Sequence, residues 1–162
     1  MRDELLPAAS QDPRWAETWT ELGHGTPTLS GLARICSVSM ATGGNPSRPL
    51  SGEAKALLFA ARQRALIEIK GANRAFDAPG RMLAVYVETP GDRTLIFRNR
   101  EDPTITIRFL AGFRELCEAG LVMHHIYHEF SLTREGMDRA ATIPETEAAP
   151  FLALATEMGL YE

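Results

Sequence analysis

The chain has 162 residues, of which 44% are hydrophobic and 23% are charged, a composition typical of an ordinary soluble domain. No apolar run approaches the roughly 18 residues of a membrane-spanning helix, and the first residues lack the apolar core of a secretory signal. Two cysteines are too few for a disulfide scaffold or an all-cysteine metal site, so we expect a reducing, cytoplasmic setting.

The net charge of −4 is unevenly distributed along the chain. Residues 1–53 carry −2, residues 54–114 carry +5 from eleven basic residues against six acids, and residues 115–162 carry −7. A basic middle can meet phosphate, whereas an acidic tail would repel phosphate or cover the basic surface. An ordinary solvated surface with chance segregation of charge is the alternative.

The first 50 residues are predicted to form a flexible N-terminal arm or linker. They contain five prolines and five glycines, and the turn residues are densest over 41–49. Trp15, Trp19 and Leu22 stand at the spacing of one helical stripe, which predicts a short helix before this stretch. Such a stripe either packs on the domain or docks a partner.

The compact domain is predicted to begin at Ser51, a suitable N-cap with Glu53 in the first helical turn. Apolar residues at helical spacing follow through Ala65, and alternation then predicts a strand that ends at Gly71. A β-hairpin is expected next, with strands over 82–88 and 94–98. Pro90, Gly91 and Asp92 supply its turn. Its strands are apolar on both faces, which predicts burial on both sides.

A second long helix is predicted after Asp102 and Pro103, an N-cap acid followed by proline at the first helical position. An apolar stripe marks its core face: Ile105, Phe109, Phe113, Leu116 and Cys117. Residues 104–108 also alternate as in a strand, so the helix could begin a few residues later. Gly112 costs about 1 kcal/mol relative to alanine unless packing requires it, and Gly120 is the expected stop.

Two short strands are predicted over 121–126 and 129–132, followed by a helix that Thr133 caps and that continues to about Ala141. Residues 143–162 are predicted to be a helical extension. Within it Phe151, Leu154 and Met158 share one helical face, which either packs on the core or binds a partner.

Residues 108–140 resemble the end of a winged-helix domain. In that family the helix before the wing typically ends in a Leu–Glu–x–Gly–Leu–Val-like step, and the second wing strand runs into a Leu–Thr–x–x–Gly turn. The matching positions here are Leu116, Glu118, Gly120, Leu121 and Val122, then Leu132, Thr133 and Gly136. The resemblance implies an α+β winged-helix-like domain over 51–142, with its first helix at 51–64, its first strand at 66–70 and its recognition helix at 105–119.

Two features depart from the family pattern. The additional β-hairpin leaves only residues 73–81 for the helix that should precede the recognition helix. The exposed face of helix 105–119 also carries Glu115 and Glu118, and glutamates are unfavourable near phosphates.

The favoured hypothesis is a non-catalytic DNA-binding or regulatory module that contacts duplex DNA through helix 105–119, the 121–132 wing and central arginines. Its candidate contact residues are Arg98, Arg100, Arg108, Arg114, His125 and Tyr127. The alternative is a degenerate winged helix that makes protein–protein contacts, as a homo-oligomer or as a subunit of a larger assembly. Its candidate contact residues are Trp15, Trp19, Phe151, Leu154 and Met158.

A small metal- or histidine-dependent enzyme is a third and less favoured class. His124, His125 and His128 stand beside Glu129, but on a strand His124 and His128 lie about 13 Å apart, too far for one ion. We expect these histidines to be partly exposed wing residues that could respond to pH. No cofactor, metal ligand set or catalytic residue is predicted.

Overall fold

The structure is a computed structural model that describes residues 27–72 and 76–159, with side chains described for residues 28–72 and 76–155. Trp15 and Trp19 lie outside the described residues, as does the side chain of Met158. The helices are α1 (Pro27–Thr42), α2 (Gly52–Ala61), α3 (Ala78–Arg81), α4 (Pro103–Ala119), α5 (Arg134–Ala141) and α6 (Glu145–Ala155). The strands are β1 (Leu66–Lys70), β2 (Ala84–Thr89), β3 (Arg93–Phe97), β4 (Val122–His124), β5 (Glu129–Leu132) and β6 (Thr156–Gly159).

The strands form one antiparallel sheet in the order β4-β5-β1-β2-β3-β6. The fold therefore belongs to the α+β class, as predicted. The β4–β5 hairpin joins the rest of the sheet through β5, where Ile67 of β1 lies opposite Phe130. The predicted hairpin over 82–98 is β2–β3, and its residues Ala84–Val87 are all buried, which confirms burial on both sides.

The main core lies between one face of this sheet and helices α2 and α4. Phe113 of α4 packs edge-on against Phe130, with 4.9 Å between ring centroids, and Phe109 packs against Phe97 at 5.0 Å. These aromatic pairs connect the middle of α4 to both halves of the sheet. A Cβ on Gly112 would lie 2.9 Å from the Ala54 nitrogen, which shows that α4 and α2 cross closely at this residue. Packing therefore requires the glycine that lowers the helix propensity of α4.

The prediction of a flexible arm is wrong for residues 27–50. Helix α1 packs against α4 and β4, and its Leu29, Leu32 and Cys36 belong to the main core. The loop after α1 is also held in place, since Asn45 donates its N–H to the Ala119 carbonyl at 3.1 Å. The domain therefore begins at least 24 residues before the predicted boundary at Ser51.

The C-terminal prediction is correct only in part. Helix α6 packs against α2 and β3 as a core-facing helix, but the helix ends at Ala155. Residues 156–159 form β6, which pairs with β3, so Met158 does not continue the helical face of Phe151 and Leu154. Within residues 27–72 and 76–159 no helix is both long and apolar enough to cross a membrane.

Candidate interaction surface

Local sequence fixes both ends of α4, the predicted recognition helix. The Asp102 carboxylate accepts a hydrogen bond from the Thr104 N–H at 3.2 Å, and Pro103 occupies the first turn. Gly120 ends the helix with a φ of 77°, a left-handed conformation that glycine adopts without strain. Residues 104–108 are helical, so their strand-like alternation does not reflect a strand. Its two isoleucines point in different directions, because Ile105 faces the core and Ile107 faces solvent.

One face of α4 remains open to solvent. We name it the α4 open face and define it by its exposed residues Thr104, Ile107, Arg108, Ala111 and Arg114. Ile107 is 55% exposed at this face. In the sequence, Ile107 falls outside the apolar stripe of α4, and this is the signal that could have identified the surface.

Two ion pairs neutralise the arginines of the α4 open face. The Nε and Nη2 atoms of Arg108 both donate to one carboxylate oxygen of Glu53, which lies in the first turn of α2. Arg114 donates to Glu118 one turn further along α4, at 2.8 Å. Each of these arginines therefore reaches the surface together with a carboxylate.

The acids beside the α4 open face are also engaged. Glu118 receives a second arginine, Arg48, at 2.9 Å, and the hydrogen bonds from Arg48 and Arg114 lower the pKa of its carboxyl group. Glu115 accepts hydrogen bonds from the Ser51 N–H at 2.9 Å and from its hydroxyl at 2.6 Å. The three arginines and three glutamates on and around the face (Arg48, Arg108, Arg114, Glu53, Glu115 and Glu118) have a summed formal charge of zero.

The β4–β5 turn, residues 125–128, presents apolar side chains outward. Ile126 is 61% exposed and Tyr127 48% exposed. Tyr127 has a φ of 49°, an uncommon conformation for a residue with a side chain. The turn is held in this shape because the Nε2 atom of His124 donates to the Tyr127 carbonyl at 2.6 Å.

The histidines of this hairpin have separate partners. Nε2 of His125 lies 2.8 Å from the Ser131 hydroxyl, and Nε2 of His128 lies 2.8 Å from a Glu68 carboxylate oxygen. Burial lowers the pKa of His124, whose ring packs against Phe130. Among the described residues no three histidine, cysteine, aspartate or glutamate side chains come together in a way that could hold a metal ion.

The base of the hairpin is built by the residues that carry the Leu–Thr–x–x–Gly pattern. The Thr133 hydroxyl accepts from the Gly136 N–H at 3.1 Å and donates to the Gly120 carbonyl at 2.8 Å. The Thr133 N–H donates to the Leu121 carbonyl at 3.0 Å. These bonds join the end of α4 to the start of α5.

The assignment of Arg98 to a nucleic-acid surface is wrong. Its side chain is buried at 1% exposure, where Nη2 donates to the Tyr86 hydroxyl at 2.8 Å. A guanidinium in that position does not reach a phosphate backbone. Arg100 is exposed but pairs with Asp77 at 2.8 Å, so it presents no isolated positive charge.

Of the predicted partner-binding residues with described side chains, Phe151 packs on the domain. A Cβ on Gly52 would lie 2.0 Å from the Cζ atom of Phe151, so this ring rests directly on the start of α2. Leu154 is exposed, and its carbonyl accepts a hydrogen bond from the Asn99 amide at 3.1 Å.

A cavity of about 340 Å³ lies beside β1 and β5, lined in part by the carboxylates of Glu68, Glu88 and Glu129 and by His125. Arg64 pairs with Glu88 at 2.9 Å, and His128 pairs with Glu68. Two of the acidic side chains that line the cavity, Glu68 and Glu88, therefore already form ion pairs. Sequence analysis had not brought these residues together.

The buried Cys117 thiol is a poor candidate for a nucleophile. Burial raises the pKa of the Cys117 thiol, and the neighbouring Cys36 raises it further. A thiol that stays protonated is a poor nucleophile.

Comparisons of the chain with protein-family models, with curated proteins and with solved structures give no significant match.

Proposed function

We propose that this chain is a non-catalytic, winged-helix-like interaction module that recognises protein through the α4 open face and the β4–β5 turn. The observation that carries the proposal is the charge pairing of the α4 open face. Its arginines are matched by carboxylates while Ile107 stays exposed. Surfaces that bind duplex DNA need an excess of positive charge to displace counterions, whereas the centre of a protein interface is rich in apolar groups and arginine and is depleted of other charged residues.

The winged-helix part of the proposal is supported by the order of elements after α4. A short antiparallel hairpin, β4–β5, follows α4 directly, and β5 pairs with β1, the first strand within the described residues. The exposed Ile126 and Tyr127 then occupy the tip of the wing. Their fixed turn lowers the entropy lost when a partner buries them.

Duplex DNA binding is the second candidate. The observation in its favour is that Arg108 and Arg114 remain 51% and 64% exposed beyond their ion pairs. A duplex could recruit both guanidinium groups if it displaced Glu53 and Glu118 from them.

Fluorescence anisotropy of a labelled random duplex, titrated with the protein across a salt series, tests the choice between the two candidates. We expect no salt-dependent binding by the wild type. Tight binding that falls steeply with salt, and that is lost in Arg108→Ala/Arg114→Ala, would establish DNA recognition and overturn the protein-binding proposal. The control is Arg93→Ala/Arg134→Ala, which removes two exposed arginines outside α4.

A further inference from the structure

The α4 open face carries a charge pattern that complements itself. We infer that its partner is a second copy of this chain, whose α4 packs antiparallel against it with Ala111 at the crossing point. This inference rests on the proposed function, and it names the occupant of the surface described above.

Helical geometry sets which residues would meet. At 3.6 residues per turn, Arg108 and Glu115 lie on one edge of the α4 open face, while Ile107 and Arg114 lie on the other. A two-fold axis between antiparallel helices reverses the chain direction but brings each edge against the same edge of the second copy.

Opposite charges then meet twice. Arg108 stands three residues before Ala111 and Glu115 four residues after it, so Arg108 of one copy lies opposite Glu115 of the other. The symmetry repeats this pair. Arg108 can form the new pair while keeping its present one, because it uses only Nε and Nη2 for Glu53 and still has the donors of Nη1. Each oxygen of Glu115 accepts one hydrogen bond from Ser51 and has a second lone pair for the new one.

The remaining positions of the face suit the same arrangement. Ile107 would lie against the aliphatic part of Arg114 from the second copy, which covers an exposed apolar side chain. Ala111 is exposed and small, so the two helix axes can approach within the usual 8–10 Å of packed helices. A zero summed charge around the face removes the repulsion that two like-charged copies would meet.

The size of the contact limits its strength. One face of a 17-residue helix is smaller than the roughly 800 Å² per partner of a standard stable interface. The dimer should therefore be weak, with a dissociation constant on the order of 100 μM.

Sedimentation velocity of the full chain over a wide concentration range tests this inference. The apparent mass should rise from 17.8 kDa towards twice that value as the concentration increases. Ala111→Arg places a bulky charge at the crossing point and should stay monomeric, while Ala153→Arg, at an exposed alanine of α6, should behave as the wild type. A wild type that stays monomeric throughout, or an Ala111→Arg variant that associates as the wild type does, overturns the inference.

A cross-linking experiment locates the contact independently. Because Cys36 and Cys117 are buried, Ala111→Cys adds one exposed thiol near the two-fold axis and should give a disulfide-linked dimer under mild oxidation. Ala153→Cys is the matched control and should cross-link far less. Equal cross-linking of both variants contradicts the inference. A monomeric wild type that ignores duplex DNA overturns self-association alone, whereas salt-dependent duplex binding overturns the proposed function.

Discussion

Gly136 should be the most sensitive glycine at the base of the β4–β5 hairpin. A Cβ built on Gly136 would lie 2.0 Å from the carbonyl oxygen of Leu121. Ordinary carbon–oxygen contacts are about 3.3 Å, so Gly136→Ala has to move α5 and the end of α4 apart by about 1.3 Å. The two nearest atoms, the carbonyl oxygen and carbon of Leu121, belong to the backbone, so a rotamer change cannot relieve the contact.

The hydrogen bonds around Thr133 set the magnitude. Three of them surround the close contact: Thr133 N–H to Leu121 and the Thr133 hydroxyl to Gly120 connect the two segments, and Gly136 N–H to the Thr133 hydroxyl caps α5. Each bond contributes about 1 kcal/mol to stability. The higher helix propensity of alanine offsets about 1 kcal/mol of their loss. We expect Gly136→Ala to lower the free energy of unfolding by about 2 kcal/mol, a large share of the 5–15 kcal/mol of a typical domain.

Equilibrium unfolding in urea measures this loss, and Gly31→Ala is its control. Gly31 lies within α1, and a Cβ there meets nothing within 4 Å, so the same substitution should raise the free energy of unfolding by about 0.5–1 kcal/mol. The two variants share their chemistry and differ in the room available. If Gly136→Ala proves as stable as the wild type, the close contact with Leu121 is not real and the reasoning fails.

Three further predictions concern single side chains. Thr133→Val should lower the free energy of unfolding by about 1–2 kcal/mol, because the N-cap of α5 is lost, and an unchanged urea midpoint would contradict this. Burial lowers the pKa of His124 in the folded protein, so its contribution to stability is complete above the ordinary pKa of 6.5 and is lost as the pH falls below it. Thermal unfolding from pH 8 to pH 5 should therefore show a weaker pH dependence in His124→Gln than in the wild type, and equal slopes would exclude this origin. Arg48 and Arg114 lower the pKa of Glu118, so its ion pairs stabilise the fold above the ordinary pKa of 4.5 and weaken as acid protonates it. Acid titration followed by circular dichroism should show a smaller loss of stability in Glu118→Gln, by less than about 1 kcal/mol because the pair is partly exposed, and a larger loss would argue against the assignment.

Elements with local signals were predictable from the sequence. Helix α4 begins after Asp102 and ends before Gly120, where the cap residues predict, because a cap satisfies backbone groups within one turn of itself. Thr133 caps α5 for the same reason. The β2–β3 hairpin follows from its strand formers and its turn chemistry.

Helix α1 escaped prediction because its buried face is made of small and polar residues as well as leucines. Ser39 is buried and its hydroxyl donates to the Cys117 carbonyl at 2.7 Å, 78 positions along the chain. Burial of a serine hydroxyl requires such a hydrogen-bond partner, and no residue near Ser39 in the sequence indicates which group this partner is. The glycines and prolines that surround α1 therefore suggested a flexible arm.

The prediction for the end of the helical extension was wrong for a related reason. Residues 151–161 have a helical apolar pattern, but residues 156–159 pair with β3 and complete its free edge. Backbone hydrogen bonds to a strand formed some 60 residues earlier in the chain outweigh a local preference of a few tenths of a kcal/mol per residue.

The candidate surface was harder to predict than the fold because charge depends on partners that are distant in sequence. The acidic last third of the chain supplies Glu118 to Arg48 and Glu147 to Lys55, at 2.9 Å and 2.5 Å. Two acids from the last third of the chain thus pair with basic residues from its first and middle parts. An arginine count along the sequence overstates the positive potential at α4, since Arg108 and Arg114 emerge beside carboxylates. Pairing of this kind lowers affinity for phosphate while leaving fixed positive and negative groups that a complementary protein surface, including a second copy of this one, can match.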